Sequence, residues 1–373
     1  METDELYREL QRHLDRMPVP FPATESGVEL RILKHLFTPE EARLALCLSA
    51  IPEPLEAIRR RAGRMAIEEL RQALERMAEK GSIQKAPGKG GPLYGKSPLV
   101  LGMYEAQVDR LTPEFERDMR AYLDEKFGAA LLATQTPQMR TAPVNKSIEV
   151  ERAVAQYDDI RAYVEGHPGP FAALNCICRQ GKDLTGEPCR QTKERRNCLV
   201  LGAAAMVTMD RGISVEVTKE GMLALLEQAD REGLVLQPQN TQEPIFVCCC
   251  CGCCCGVLTS AKKLPRPAYL FQTDFVAEVD RDACQICGAC APRCQMDAIA
   301  SGDEPAAVAE ERCIGCGLCV TSCPSGALRL RKKEGTKPPP GNMRALYTTM
   351  FQERFGRLGT VAAVAGRLVG RKF

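Results

Sequence analysis

The sequence predicts an α+β multidomain protein, and three observations carry that prediction. Its 373 residues are enough for about two or three domains of ordinary size. Apolar residues recur at helical spacing through the N-terminal third, with a strand-turn-strand pattern at its end. Nineteen of the 20 Cys lie between Cys176 and Cys323, so a Cys-poor helical part precedes a Cys-dense one. Hydrophobic residues at 45% and charged residues at 26% exclude disorder, collagen and coiled coil as descriptions of the whole chain.

Residues 1–16 are charged and amphipathic, which predicts a short helix, and the three Pro of MPVPFPATESG read as a linker. VELRILKHLF, PEEARLALCLS, PLEAIRRRAG and MAIEELRQALERMAEKG then read as helices, with Pro39 opening the second and Gly81 stopping the last. SIQKAPGKGGPLYGKSPLVLGMYE reads as two strands around a Gly/Pro-rich turn. Helices followed by a hairpin in this order resemble a winged helix-turn-helix domain, spanning residues 24–105. The resemblance raises DNA as a partner, and the residues disfavour it. The helix in the recognition position carries Glu68, Glu69, Glu75 and Glu79 against Arg71 and Arg76, whereas phosphate and base contacts call for basic and amide side chains. Arg59, Arg60, Arg61 and Arg64 are the features that favour DNA; protein docking is the preferred reading. Cys47, in an apolar helical stretch, reads as a small core residue.

Residues 106–150 read as a helix, Leu111 to Leu132, and an extended linker, Thr134 to Asn145; a further helix over Ile148 to Glu165 leads to the first Cys of a central domain, 151–272. Within that domain Leu199 to Met209 and Lys219 to Glu232 read as helices, the second capped by Thr218 and stopped by Gly233, and LVLQPQ reads as a strand. A segment over 273–330 and a basic tail over 331–373 complete the chain. METDELYRELQRHLDR has no apolar core of a signal peptide, which predicts a cytoplasmic protein. Disulfides are disfavoured there, so thiols at this density point to zinc or iron–sulfur clusters.

The strongest motif is a pair of runs: Cys284, Cys287, Cys290 and Cys294, then Cys313, Cys316, Cys319 and Cys323 followed by Pro324. This spacing resembles that of the bacterial two-cluster ferredoxin, with Gly288, Gly317 and Gly326 in the tight loops. The resemblance implies a ferredoxin-like fold and two [4Fe–4S] clusters, one held by Cys284, Cys287, Cys290 and Cys323, the other by Cys313, Cys316, Cys319 and Cys294. Gln295 departs from the pattern, standing where a Pro commonly follows the fourth Cys. Zinc in two four-thiolate sites is the competing reading, and the repeat of both runs at an interval of 29 positions argues against it.

The central domain adds Cys176, Cys178, Cys189 and Cys198, with Arg179 and Arg190 nearby to offset thiolate charge. It then adds Cys248, Cys249, Cys250, Cys251, Cys253, Cys254 and Cys255, interrupted by Gly252. Neighbouring side chains of an extended chain point to opposite faces, so these Cys need a bend to serve one centre, and Gly252 is expected to supply it. Three readings stand: one or two further iron–sulfur clusters, a redox-active thiol site, or an irregular zinc site. The repeated Cys-Cys-Gly is similar to the CCG element of heterodisulfide reductase catalytic subunits, whose other Cys find no alignment here. The iron–sulfur reading is preferred.

His13, His35 and His167 are scattered, without ligand spacing, and read as surface or capping residues. No GxxxxGK[ST] loop or GxGxxG fingerprint appears, so no nucleotide cofactor is expected and electrons must come from a separate protein. The ferredoxin-like segment is acidic and the tail basic, which suits intramolecular or partner docking, with peripheral membrane contact as a minor reading. Together these features predict a multi-cluster electron-transfer protein of an anaerobic or microaerobic cell, working with a redox partner protein. The rivals are a thiol/disulfide oxidoreductase acting at Cys248–Cys255 and a redox-sensing winged-helix regulator.

Overall fold

The computed structural model describes residues 2–63, 65–144, 147 and 157–368, so Arg64, Asn145 and the first half (148–156) of the helix expected over 148–165 lie outside the described residues. Two compact units form, one of residues 1–131 with 350–373 and one of residues 132–349.

In the first unit α1 (Glu2–Leu14) buries Tyr7, Leu10 and Leu14, spaced to lie on one helix face. It is followed by α2 (Val28–Leu36) and α3 (Pro39–Ala45). Thr38 opens α3 with a capping box: its hydroxyl accepts from the Glu41 N–H at 3.3 Å, and the Glu41 carboxylate accepts from the Thr38 N–H at 2.8 Å. Then come β1 (Glu53–Pro54), α4 (Leu55–Arg59), α5 (Ile67–Glu79), β2 (Ile83–Ala86) and β3 (Leu93–Lys96). The three strands form an antiparallel sheet in the order β1-β3-β2, with Glu53 opposite Tyr94 and Ile83 opposite Lys96.

The helix expected from Leu111 starts at Pro113: α6 (Pro113–Tyr122), capped by Thr112, runs through a π-helical turn into α7 (Gly128–Leu132). Leu70, Leu74, Met77, Tyr94, Phe115 and Met119 are among the buried core. His13 corrects its reading as a surface residue. It is buried, with Nε2 2.8 Å from the Leu48 carbonyl. Cys47 is half-buried, its thiol donating to the Arg61 carbonyl at 3.4 Å.

The second unit is built on a five-stranded antiparallel sheet: β4 (Phe171–Leu174), β5 (Cys198–Leu201), β6 (Val215–Val217), β7 (Val235–Pro238) and β8 (Phe246–Cys250), in the order β6-β4-β5-β8-β7. Helices α8 (Ile160–Gly166), α9 (Ile177–Leu184), α10 (Ala203–Asp210), α11 (Lys219–Arg231) and α12 (Gly256–Lys262) accompany it. The expected helix from Leu199 is corrected at its start. Cys198–Leu201 is strand because it pairs on both sides, with β4 and β8, and tertiary pairing outweighs local preference. Thr134 to Asn145 is also more than a linker among its described residues: Met139 and Ala142 bridge to Gln239 and Leu236, and Val144 N–H donates to the Cys316 carbonyl.

The remaining part pairs β9 (Phe275–Val279) with β12 (Leu328–Lys332), and sets β10 (Ile299–Ala300) against β11 (Ala307–Val308) with a short α13 (Leu318–Thr321). The last helix, α14 (Met343–Leu368), is broken at Gly356. Its Arg354 donates to Asp15 Oδ1 and to the Met17 carbonyl, both at 2.7 Å, so one tail cation folds back on the N-terminal loop. Among the described residues no helix is long and apolar enough to cross a membrane.

Candidate metal centres

Eighteen of the Cys distribute over two ferredoxin-like cavities and two central groups in a way that chain spacing alone only half reveals. In the ferredoxin-like part, one cavity is lined by Cys284, Cys287, Cys290 and Cys323 with Ile286, Val279 and Leu328. A second is lined by Cys294, Cys313, Cys316 and Cys319 with Ala277, Ile299 and Leu318. Each run of three thiols is therefore joined by the fourth Cys of the other run. Pairing β9 with β12 brings Cys323 back beside the first loop.

These sites suit a thiolate-bound cluster. Ala298 N–H donates to Cys294 Sγ at 3.2 Å and Ala277 N–H to Cys313 Sγ at 3.4 Å, so each of these sulfurs has a backbone donor aimed at it. Gly315 sits at φ +66°, and a Cβ there would lie 2.3 Å from the Phe275 carbonyl oxygen, so only glycine lets this loop close on the sheet. The two cavities differ in exposure. Cys287 is exposed beside the exposed Ile286, while burial holds the Cys316 thiol well above its ordinary pKa and raises Cys319 to about 12.

The central Cys sort into two groups. Cys189, from the loop after α9, has its sulfur 3.7 Å from those of Cys251 and Cys253, and Cys253 lies 3.6 Å from Cys254. All four sulfurs stand within 4.8 Å of one another. The chain makes this possible by turning at Gly252: Cys255 N–H closes back on the Cys251 carbonyl at 3.1 Å. A Cβ on Gly252 would lie 2.4 Å from the Gln295 carbonyl oxygen, so the close approach requires glycine. Hydrogen bonds from Cys251, Cys253 and Cys254 pull the Cys189 thiol far below its usual range. The bond to Cys189 pushes Cys253 up, but those involving Cys251 and Cys254 bring it down to about 6.

The second group forms around the start of α9 and the end of β8. Cys198 and Cys248 are register partners on β5 and β8. Thiol hydrogen bonds link Cys176 with Cys178, Cys248 with Cys198 and Cys250, and Cys250 with Cys255. Alternation along β8 puts Cys249 on the opposite face, buried in the apolar core, where burial raises its pKa to about 12. Cys249, expected among the cofactor-binding Cys, is thus placed away from both groups.

Arg179 lies between the groups. It is fully buried, and the groups that hold it in its charged form are the thiols of Cys176, Cys251, Cys250 and Cys189, drawn from both. Its Nη2 donates to the Cys249 carbonyl at 2.8 Å, and Nε and Nη1 have no hydrogen-bond partner. Gln237, fully buried beside Cys255, has an Nε2 without a partner as well. These orphaned donors suit an anionic centre in the second group. Arg190, in contrast, is exposed. Gln295 is the residue whose part the sequence did not reveal: its Oε1 accepts from the Gly252 N–H at 2.7 Å, tying the ferredoxin-like loop to the Cys run. Its departure from the usual Pro was the available signal.

Residues 306–329 match the family model of the 4Fe-4S binding domain. The chain carries an iron–sulfur binding domain of the electron-transfer type. No curated protein and no solved structure matches the chain.

Proposed function

We propose that this protein is a multi-cluster electron carrier that passes single electrons between a redox partner protein and the central Cys-rich part. The observation that carries this reading is the crossing of the fourth Cys: each cavity of the ferredoxin-like part is lined by three thiols of one run and one of the other. Cys284, Cys287, Cys290 and Cys323 hold one [4Fe–4S] cluster, and Cys294, Cys313, Cys316 and Cys319 hold the other. Such a group supplies one-electron exchange; the protein supplies burial, thiolate ligands and the N–H donors of Ala277 and Ala298.

Exposure sets the direction of approach. The partner meets the edge at Cys287 and Ile286, the Cys294 site lies deeper, and the Gln295–Gly252 bond joins it to the central Cys. Four of the six thiols of Cys176, Cys178, Cys198, Cys248, Cys250 and Cys255 take a third cluster, and the orphaned donors of Arg179 and Gln237 support this assignment. In the first unit, a three-stranded sheet in the order β1-β3-β2 preceded by α4 and α5 supports a winged-helix module. The exposed face of α5 carries Glu68, Glu69 and Glu79 beside Arg71 and Arg76, and Arg61 is committed to Glu53, which favours protein docking over DNA.

Iron and acid-labile sulfide analysis of the anaerobically purified protein tests the reading. About 12 iron and about 12 sulfide per chain are expected from three clusters. About 8 of each removes the third cluster, and absence of sulfide removes the function.

A further inference from the structure

Eight consecutive positions carrying seven Cys around one Gly exceed what a single cube of four irons uses, and the structure divides them. The group gathered around the turn at Gly252, with Cys189, differs in kind from the others, and its spacing is the reason. In a tetrahedral site the edge is about 1.6 times the metal–sulfur bond, so a bond of about 2.3 Å sets thiolates about 3.8 Å apart. The contacts here are 3.6 and 3.7 Å, with all four sulfurs inside 4.8 Å. A [4Fe–4S] cube places a separate iron beneath each thiolate and holds its ligands well out of mutual contact. A disulfide would need about 2.05 Å, so the four are not bonded in pairs.

We infer that Cys189, Cys251, Cys253 and Cys254 hold one divalent ion, zinc or ferrous iron, in a closed tetrahedral four-thiolate site without sulfide. Adjacent Cys253 and Cys254 serve the same ion because the turn at Gly252 rotates both sulfurs to the side that Cys189 approaches. The thiols give up their protons to solvent as the ion binds, and the four sulfurs fill its coordination, leaving no position for a substrate.

An independent observation comes from charge. Among the described residues of this unit two arginines are fully buried. Arg140 has a carboxylate partner, Asp158, equally buried. Arg179 has no carboxylate among its described ion pairs and faces thiols, with Nε and Nη1 unpartnered. A buried guanidinium needs a compensating negative charge, and a divalent ion with four thiolates carries net −2. Arg179 is therefore a positioning residue that balances this site and the neighbouring group together.

The assignment goes beyond the electron-carrier reading, and its failure is separable because it is read in metal without sulfide. Full-length wild-type protein and Cys189→Ser are purified anaerobically and analysed for zinc, iron and acid-labile sulfide. The variant is expected to lose about one zinc or about one iron and no sulfide; either metal supports the site. Loss of about four iron with about four sulfide overturns it, as does unchanged metal. Should the variant not fold, the wild-type protein decides. Zinc X-ray absorption showing one shell of four sulfurs at about 2.3 Å, or a mononuclear ferrous four-thiolate component in the Mössbauer spectrum, supports the site. Absence of both overturns it.

Discussion

Along the loop of Cys284, Cys287 and Cys290, two residues separate each thiol from the next, and the sulfurs face an open space shared with Cys323. Along Cys251, Cys253 and Cys254 almost nothing separates them, and with Cys189 they touch. The first arrangement makes room for a large inorganic group inside a small fold. The second closes on something the size of a single ion. Both sets of thiols are charged when loaded, and the compensation differs accordingly: N–H donors of Ala277 and Ala298 on one side, the buried Arg179 on the other. Cys count is therefore a poor guide to cofactor count, and the separation of the sulfurs is a better one.

The largest effect that tests this contrast is loss of a whole cluster. Cys316→Ser is expected to remove about four iron and about four sulfide per chain while the central metal stays. Parallel loss of central metal would show that the two regions load as one. Arg179→Met comes next, since it keeps volume and removes charge. Metal in the central groups should fall by half or more, with about 8 iron retained in the ferredoxin-like part. Arg179→Lys should recover part of it, because charge returns without the planar fork. If Met and Lys behave alike, packing and not charge is what Arg179 supplies.

How much of this the sequence disclosed depends on whether the deciding contact is local. The helices α3 and α11 were legible because Pro39, Thr218 and Gly233 mark their ends within a few residues. The fourth-Cys exchange was legible through resemblance, as its spacing repeats. Leu199–Leu201 was misread because its conformation is set by pairing with β4 and β8, distant in the chain. For the same reason the sorting of the Cys run stayed open: which sulfur goes where depends on β8's register against Cys198 and on Cys189, 62 residues before Cys251. Cys249 looked like a ligand among ligands, and only strand alternation sends it into the core.

That placement gives a smaller test. Cys249→Ala should leave zinc, iron and sulfide unchanged and lower stability by about 1–2 kcal/mol through the small cavity it opens, read by denaturant unfolding of the loaded protein. Loss of metal would return Cys249 to the ligands and undo the division into two groups.

The smallest expected effect falls on the bond joining the two regions. Gln295 follows Cys294, and its Oε1 accepts the Gly252 N–H at 2.7 Å. Gln295→Met keeps length and apolar bulk but leaves that N–H without its acceptor, at a cost of about 1 kcal/mol. No thiolate is touched, so zinc, iron and sulfide should all match the wild type. What should change is the turn: loosened at Gly252, it exposes Cys251, Cys253 and Cys254, and the metal they share should exchange faster with a chelator, by roughly fivefold for that loss of free energy. The ferredoxin-like clusters should bleach in air at the wild-type rate. Equal chelator rates in the two proteins would mean that Gly252 and the Cys254 neighbourhood hold their shape without Gln295, and that the two regions are packed together but not coupled.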